Sequence, residues 1–249
     1  MQKQFKLAQA VLALAACGTF GHALAADAAP ATQPQSQYQA AISSQARTDD
    51  DRKSDDKRKP AEFLAFAKAR PGMKVLDLSA GGGTTSALLA AAVSPGGEVW
   101  AQTGKASPKI EARVASGKVP NLHADVAPID NPIAAGMPKL DLVTINMSYH
   151  DVVNAPADRA AMNKRIYDAL KPGGYYVVID NAAKAGSGLS ATNTLHRIDE
   201  AAVIEEVTKA GFKVDARSDY LRAPSDPREQ PFYEMKGAPD DKFAIRFVK

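Results

Sequence analysis

The stretch Asp77-Leu78-Ser79-Ala80-Gly81-Gly82-Gly83-Thr84 holds an unusual set of groups: one carboxylate closing an apolar run, a cluster of glycines, then the apolar repeat of a helix. Glycines let the main chain turn sharply and approach a ligand closely, and a helix starting near Thr84 aims its unpaired N–H groups at the same space. That order suits a nucleotide-type cofactor held beyond the end of a strand. A second concentration of reactive groups is Asn146-Met147-Ser148-Tyr149-His150-Asp151, again after an apolar run. At that position His150 suits a general base acting on a substrate near neutral pH, with Tyr149 and Asp151 orienting it or shaping the pocket. Each group also has a structural reading: His150 as a hydrogen-bonded loop residue, Asp151 as the cap of the segment that follows.

Other polar residues stand where strands should end. Gln102 lies about 20 residues past the glycine turn, the usual spacing of a ribose-contacting side chain. Asp125 and, more weakly, Asp130 follow the third strand, where either could equally be a turn aspartate bonded to its own backbone. Asp180 and Asn181 close the fifth. His196-Arg197 precedes a helix that begins near Asp199 and reads as part of its cap and first turn; arginine is mildly unfavourable at that positive end, and the misfit admits a contact to an anionic ligand group. The histidines are scattered along the chain and Cys17 is the single cysteine, so the spacing contains no metal-ligand pattern and no metal is expected.

These residues need a frame, and the hydrophobic pattern supplies one. Strands are expected near Lys74–Leu78, Glu98–Gln102, Asn121–Ala124, Leu140–Asn146, Tyr175–Asp180, Phe212–Ala216 and Lys242–Val248. Helices are expected near Thr84–Ala92, Pro108–Ser116, Asp158–Leu170 and Asp199–Ala210. Alternating strand and helix argue for an α/β, doubly wound, Rossmann-like seven-stranded sheet, mostly parallel. The last two strands lack a long helix between them, and in the methyltransferase fold, which the late strand pair resembles, the final strand is antiparallel.

The glycine turn together with Leu170-Lys171-Pro172-Gly173-Gly174-Tyr175-Tyr176-Val177-Val178-Ile179-Asp180 resembles the class I S-adenosylmethionine-dependent methyltransferases. From about Asp51 onward the chain resembles a bacterial group of exported predicted methyltransferases, through Asn-x-x-Tyr-His-Asp at Asn146–Asp151 and His-Arg-x-Asp at His196–Asp199. The resemblance implies S-adenosylmethionine as cofactor, with Asp77, Ser79, Gly81, Gly82, Gly83, Gln102, Asp125 and Asn146 binding it. It implies that Gly81–Gly83 pass beneath the methionine and ribose, that Asp77 orders the turn or meets the amine, and that Asp125 meets the adenine amino group. His150, Tyr149 and Asp151 would then be catalytic. Two positions depart from the family pattern: Ser79 replaces the first glycine, which a negative φ would accommodate, and Gln102 replaces the carboxylate that usually holds the ribose.

The ends of the chain point to export. Lys3 and Lys6 precede an apolar run from Leu7 to Ala16, too short to span a bilayer and placed as a signal segment. Ala23-Leu24-Ala25 suits cleavage after residue 25; Leu14-Ala15-Ala16-Cys17-Gly18 instead matches a lipobox, which would leave a leader of residues 1–16 and a lipid anchor at Cys17. The small residues up to Ala25 favour a soluble periplasmic protein, with a membrane-anchored lipoprotein as the alternative. Residues 26–46 read as a flexible tether, and 47–249 as one methyltransferase-like domain with an N-terminal cap over 47–70. The apolar share of 45% suits an ordinary core. The formal charge of +3 shrinks once Lys3 and Lys6 are removed, and no basic patch interleaved with aromatics suggests nucleic acid. Two functions follow: methyl transfer to a small-molecule or envelope acceptor, or noncatalytic ligand binding by an exported protein on the same fold. The second draws on the difficulty of supplying a charged cytosolic cofactor across a bilayer. A nicotinamide-dependent oxidoreductase fits less well, given the late strand pair and the missing ribose carboxylate.

Overall fold

The computed structural model describes residues 34–249, with side chains from Tyr38 onward; the expected leader, both cleavage sites, Cys17 and the first part of the tether lie outside the described residues. The elements, in chain order, are α1 (Pro34–Ile42), α2 (Asp49–Arg52), α3 (Asp55–Arg58), α4 (Pro60–Phe66), β1 (Lys74–Leu78), α5 (Thr84–Val93), β2 (Glu98–Thr103), α6 (Pro108–Ala115), β3 (Leu122–Val126), β4 (Leu140–Asn146), α7 (Tyr149–Asn154), α8 (Arg159–Ala169), β5 (Leu170–Asn181), α9 (Thr192–Leu195), α10 (Glu200–Lys209), β6 (Lys213–Ser218), a 3₁₀ turn (Phe232–Glu234) and β7 (Lys242–Val248).

The strands form one seven-stranded sheet in the order β3-β2-β1-β4-β5-β7-β6. The pairs from β3 through β5 are parallel, and β7 runs antiparallel to both β5 and β6. Side chains alternate across a strand, so neighbouring apolar residues feed opposite faces. Val75, Val99, Leu142 and Val177 join one core with Phe63, Leu64, Leu89 and Ile110. Leu76, Leu78, Val143, Ile145, Tyr176 and Val178 join another with Met162, Ile166, Val203 and Val207. Helices therefore cover both faces, which explains why the central strands read as continuous apolar runs. Strand order reverses between β1 and β4, and a crevice opens beyond their carboxyl ends.

The segment ahead of β1 is more ordered than its composition suggests. Pro34–Ile42, inside the stretch expected to be a tether, is helical; Tyr38 and Ala41 are buried, and the Tyr38 hydroxyl donates to Ala69 O at 3.1 Å. The alanine and glutamine content concealed it, because Tyr38, Ala41 and the partly buried Ile42 carry its apolar face. The charged run after it is not merely a solvated helix start. Asp51 forms a capping box with Thr48, and it also accepts from Arg113 of α6 at 2.6 and 2.8 Å and from the Thr84 hydroxyl at 2.7 Å. One buried carboxylate thus fastens this segment to the start of α5 and to α6. At the other end Arg197, fully buried, pairs with Asp226 at 2.8 Å and donates to Ala182 O and Gln230 O, pinning the irregular stretch between β6 and β7. No helix among the described residues is long and apolar enough to cross a membrane.

Burial opposes ionisation of Asp51, but hydrogen bonds from Arg113, Thr84 and the Thr48 amide outweigh it and hold the carboxyl below its ordinary range. A depressed folded pKa stabilises above the unfolded value and is lost as pH falls. Asp51→Ala should therefore lower the unfolding free energy at pH 7 by about 3 kcal/mol, the scale of breaking a buried ion pair. Urea denaturation measures this, and the difference from wild type should shrink below about pH 4. A pH-independent difference would show that the charge does not make the contact.

Candidate functional site

Beyond the ends of β1 and β4 lies a cavity of about 460 Å³, lined by Asp77, Ser79, Gly81, Gly82, Asn146, Met147, His150, Asp151 and His196, with Arg58, Phe232 and Tyr233 at its margin. A second hollow of about 250 Å³, between the N-terminal helices and the stretch before β7, shares Arg58, Thr84, Thr85, Asn146, Met147 and Phe232 with it. The two regions singled out in the sequence thus face one space.

The glycine turn is built for that position, with individual roles that differ from expectation. Gly81 takes φ +57°, and a Cβ there would meet no atom within 4 Å, so its open side faces the cavity. Gly82 lies against the flexible Lys109 side chain. Gly83, at φ +77°, does not line the cavity; a Cβ would press on Ile110 and Arg113, so this glycine permits α5 to pack on α6. Ser79 has φ +49°, not the negative φ that would suit a side chain, and so retains the left-handed backbone usually left to glycine. Met147 at φ +60° and His196 at φ +51° share that conformation and line the same cavity. Such backbone costs about 1–3 kcal/mol per residue and persists only where surrounding structure enforces it.

Asp77 is fully buried beneath the turn. It accepts from the Ser86 hydroxyl of α5 at 2.6 Å and the Thr144 hydroxyl of β4 at 2.7 Å, so it joins the start of α5 to β4 beneath the turn. Burial raises its pKa to about 6, against the hydroxyl donors that lower it. Gln102 does not face the cavity. It is buried, its Oε1 accepts from Ser79 N at 3.0 Å, and its Nε2 donates to Ala127 O at 2.6 Å. The amide is spent tying the turn to the end of β3, which corrects the ribose assignment. A glutamine serves here because the site needs one acceptor and one donor; a carboxylate would lack the donor. Asp125, beside Gln102 in register, does not line the cavity either; its Oδ2 is buried without a hydrogen-bond partner, and burial raises its pKa. Asp130 sits in the loop after β3, away from the cavity. Asn146 does line it, and its Nδ2 is a buried donor with no partner.

Of the three expected catalytic residues, Tyr149 points the wrong way. It is buried against α8 and α10, where its hydroxyl donates to Glu206 at 2.8 Å and accepts from Asn163 at 2.9 Å. Helix geometry explains this: α7 starts at Tyr149, and successive residues point about 100° apart. His150 faces the cavity with Asp180 behind it. The fully buried Asp180 accepts from His150 Nδ1 at 2.7 Å and from its backbone N at 2.8 Å, leaving Nε2 toward the cavity. Asp151 Oδ1 lies 3.3 Å from that Nε2 and 3.6 Å from Nδ1 of His196, whose ring meets His150 edge-on at 5.4 Å. Burial works against the imidazolium of His150, but hydrogen bonds to Asp151 and Asp180 outweigh it and raise the pKa to about 9. His150 in turn lowers that of Asp151, against the effect of burial.

His196 is the residue that sequence reading placed elsewhere. The sequence groups it with Arg197 at a helix start or an anionic ligand contact, yet Arg197 is turned into the interior and His196 alone of the two lines the cavity. The bridge between Ala182 and Ile198, with the Asn181 amide donating to His196 O at 3.1 Å, fixes the loop beside the end of β5. The Gly/Ser-rich stretch before it conceals that return.

No protein-family model matches the chain, and no curated protein does. Solved structures share its fold. A SAM-dependent methyltransferase from Aquifex aeolicus superposes with TM-score 0.57 at 16% identity, over 76% of this chain and 89% of that one. The [4+2]-cyclase SpnF gives 0.59 at 14%, over 78% and 81%. Aeropyrum pernix fibrillarin, solved with natively bound S-adenosyl-L-methionine, gives 0.50 at 15%, over 75% and 74%. The fold is that of SAM-dependent methyltransferases. A cyclase among its bearers shows that the fold alone does not determine the reaction.

Asp77 gives this site a pH signature. Its folded pKa is raised, so its ionised form costs the folded state above about pH 6, and that cost is relieved as pH falls toward 4. Wild type should gain up to about 3 kcal/mol relative to Asp77→Asn between pH 7 and 4, measured by denaturant titration at each pH. Parallel profiles would contradict the buried ionisable assignment.

Proposed function

We propose that this protein transfers a methyl group from S-adenosylmethionine to a small-molecule acceptor. The observation that carries this reading is the convergence of the glycine turn and the Asp180-backed His150 on one cavity at the reversal of strand order. The residues present fit the cofactor in part. The open side of Gly81, the amides at the start of α5 and the unpaired Asn146 donor suit the methionine portion, whose carboxylate needs donors. Gln102 offers the ribose nothing.

The cofactor supplies an electrophilic methyl group on a sulfonium. The chain's share is positioning: methyl transfer is an in-line displacement, so holding the acceptor in line and excluding water supplies most of the acceleration. His150 suits an acceptor-facing role because Asp180 fixes its ring orientation and tautomer. Asp151 and His196 border the same side. Arg58 from the N-terminal segment and Phe232 and Tyr233 from the stretch before β7 narrow the mouth. The leader-like N-terminus supports an acceptor in the cell envelope, with the protein soluble in the periplasm, or held at the membrane if Cys17 is lipidated. Noncatalytic binding on this fold is the second reading, favoured by the engagement of Gln102 with main chain.

Calorimetric titration with S-adenosylmethionine and S-adenosylhomocysteine tests the proposal. Binding should appear as heat and as a raised melting temperature, about 2.7 kcal/mol of added stability at a hundredfold excess over Kd. Gly81→Val, which fills the open side of the turn, should weaken binding at least tenfold while circular dichroism shows a folded chain. Absence of heat and of thermal stabilisation by either compound at millimolar concentration would refute it.

A further inference from the structure

Histidines 46 positions apart in sequence converge at the cavity, and among the described residues His150, Asp151 and His196 bring one ligand atom each to within 4.8 Å of one another. We propose that these three side chains bind a divalent first-row transition ion, of which zinc is the simplest, with its remaining coordination positions open to the cavity. The expectation that the histidines stay scattered is thereby replaced: the folded chain gathers two of them around a carboxylate.

The donor set matches such an ion. Two imidazole nitrogens and one carboxylate oxygen form a common three-protein-ligand combination for ions that keep an exchangeable position. Ligand atoms about 2.0–2.1 Å from a tetrahedral ion stand about 3.3 Å apart. Asp151 Oδ1 lies 3.3 Å from His150 Nε2 and 3.6 Å from His196 Nδ1, two edges close to that spacing. The third edge, within 4.8 Å, closes by rotation of the His196 side chain, which is 36% exposed. His150 is already oriented for this and yields its Nε2 proton when the ion binds. Asp180 engages its Nδ1 at 2.7 Å, directs Nε2 outward, and is itself fixed by the amides of His150 and Asn181. A buried carboxylate behind a ligating histidine is the usual support of a metal-bound imidazole and strengthens it as a ligand. The left-handed backbone at His196 is the distortion that brings its ring beside His150.

The three ligands line the same cavity as Gly81, Asn146 and Met147, so an ion held by them would be open to it. An oxygen-bearing small molecule in the cavity would complete its shell, so the site selects ligands with a hydroxyl, carboxylate or similar oxygen donor. Zinc affinity is read without S-adenosylmethionine, so this inference and the methyl-transfer reading fail separately.

The full-length chain, stripped with a chelator and dialysed, is titrated with zinc chloride by calorimetry, and bound metal is counted by elemental analysis. Wild type should take up a zinc ion with micromolar or tighter affinity that Asp151→Ala and His196→Ala each weaken at least tenfold. Cobalt(II) in the wild type should give the visible absorption of a low-coordinate nitrogen and oxygen site, lost in both variants. Asp151 is more than half exposed, so its variant tests the site without threatening the fold. Zinc bound equally well by wild type and both variants, or no zinc bound by wild type, overturns the proposal.

Discussion

One buried carboxylate organises the centre of this molecule. Asp77 sits at the end of β1 where the strand order reverses, and its oxygens take one hydroxyl from α5 and one from β4. Those are the elements that border the cavity, so their relative placement is set by two short hydrogen bonds to one group. Ionising it there costs free energy, yet neither oxygen lacks a donor, and each hydroxyl would be left unsatisfied without it. Around it, Gln102 ties the turn to β3 and Asp51 ties the N-terminal segment to α5 and α6. The glycine turn holds its left-handed conformation because polar contacts fix it from three sides.

Much of the frame could be read from the chain. The sheet's central strands are buried on both faces, so β1, β4 and β5 carry apolar stretches at Val75–Leu76, Leu142–Val143 and Tyr175–Ile179 that make the strands visible in the sequence. Pro and Gly mark several helix ends, and Asp158 and Asp199 cap α8 and α10 as their types suggest. The site was legible to the level of which strands end at the cavity. Which way each side chain points was not: Tyr149 and His150 are neighbours, yet one turns into the core and the other into the cavity. Gln102 stands at a ribose position, and only the path of β3 beside it reveals that its amide is already used. The pairing of His150 with His196 depends on a loop return that no local pattern encodes. α1 escaped notice because alanine and glutamine supply helix propensity without a strong apolar stripe.

The fold is shared with proteins that transfer methyl groups and with one that closes rings, so chemistry must come from the groups at the mouth. Here those groups are asymmetric. One wall of the cavity offers main-chain amides and an unpaired amide donor, suited to a negatively charged portion of a ligand. The opposite wall offers two imidazoles and a carboxylate, held from behind by Asp180. Left-handed residues at Ser79, Met147 and His196 border the cavity, three of the seven such non-glycine residues among those described.

The most direct test of this division is a crystal structure of the chain grown with S-adenosylhomocysteine. The account predicts the product's methionine portion against Gly81 and Asn146, with its sulfur directed toward the side of the cavity that carries His150. Product bound elsewhere, or bound there with its sulfur turned away from that side, would contradict it.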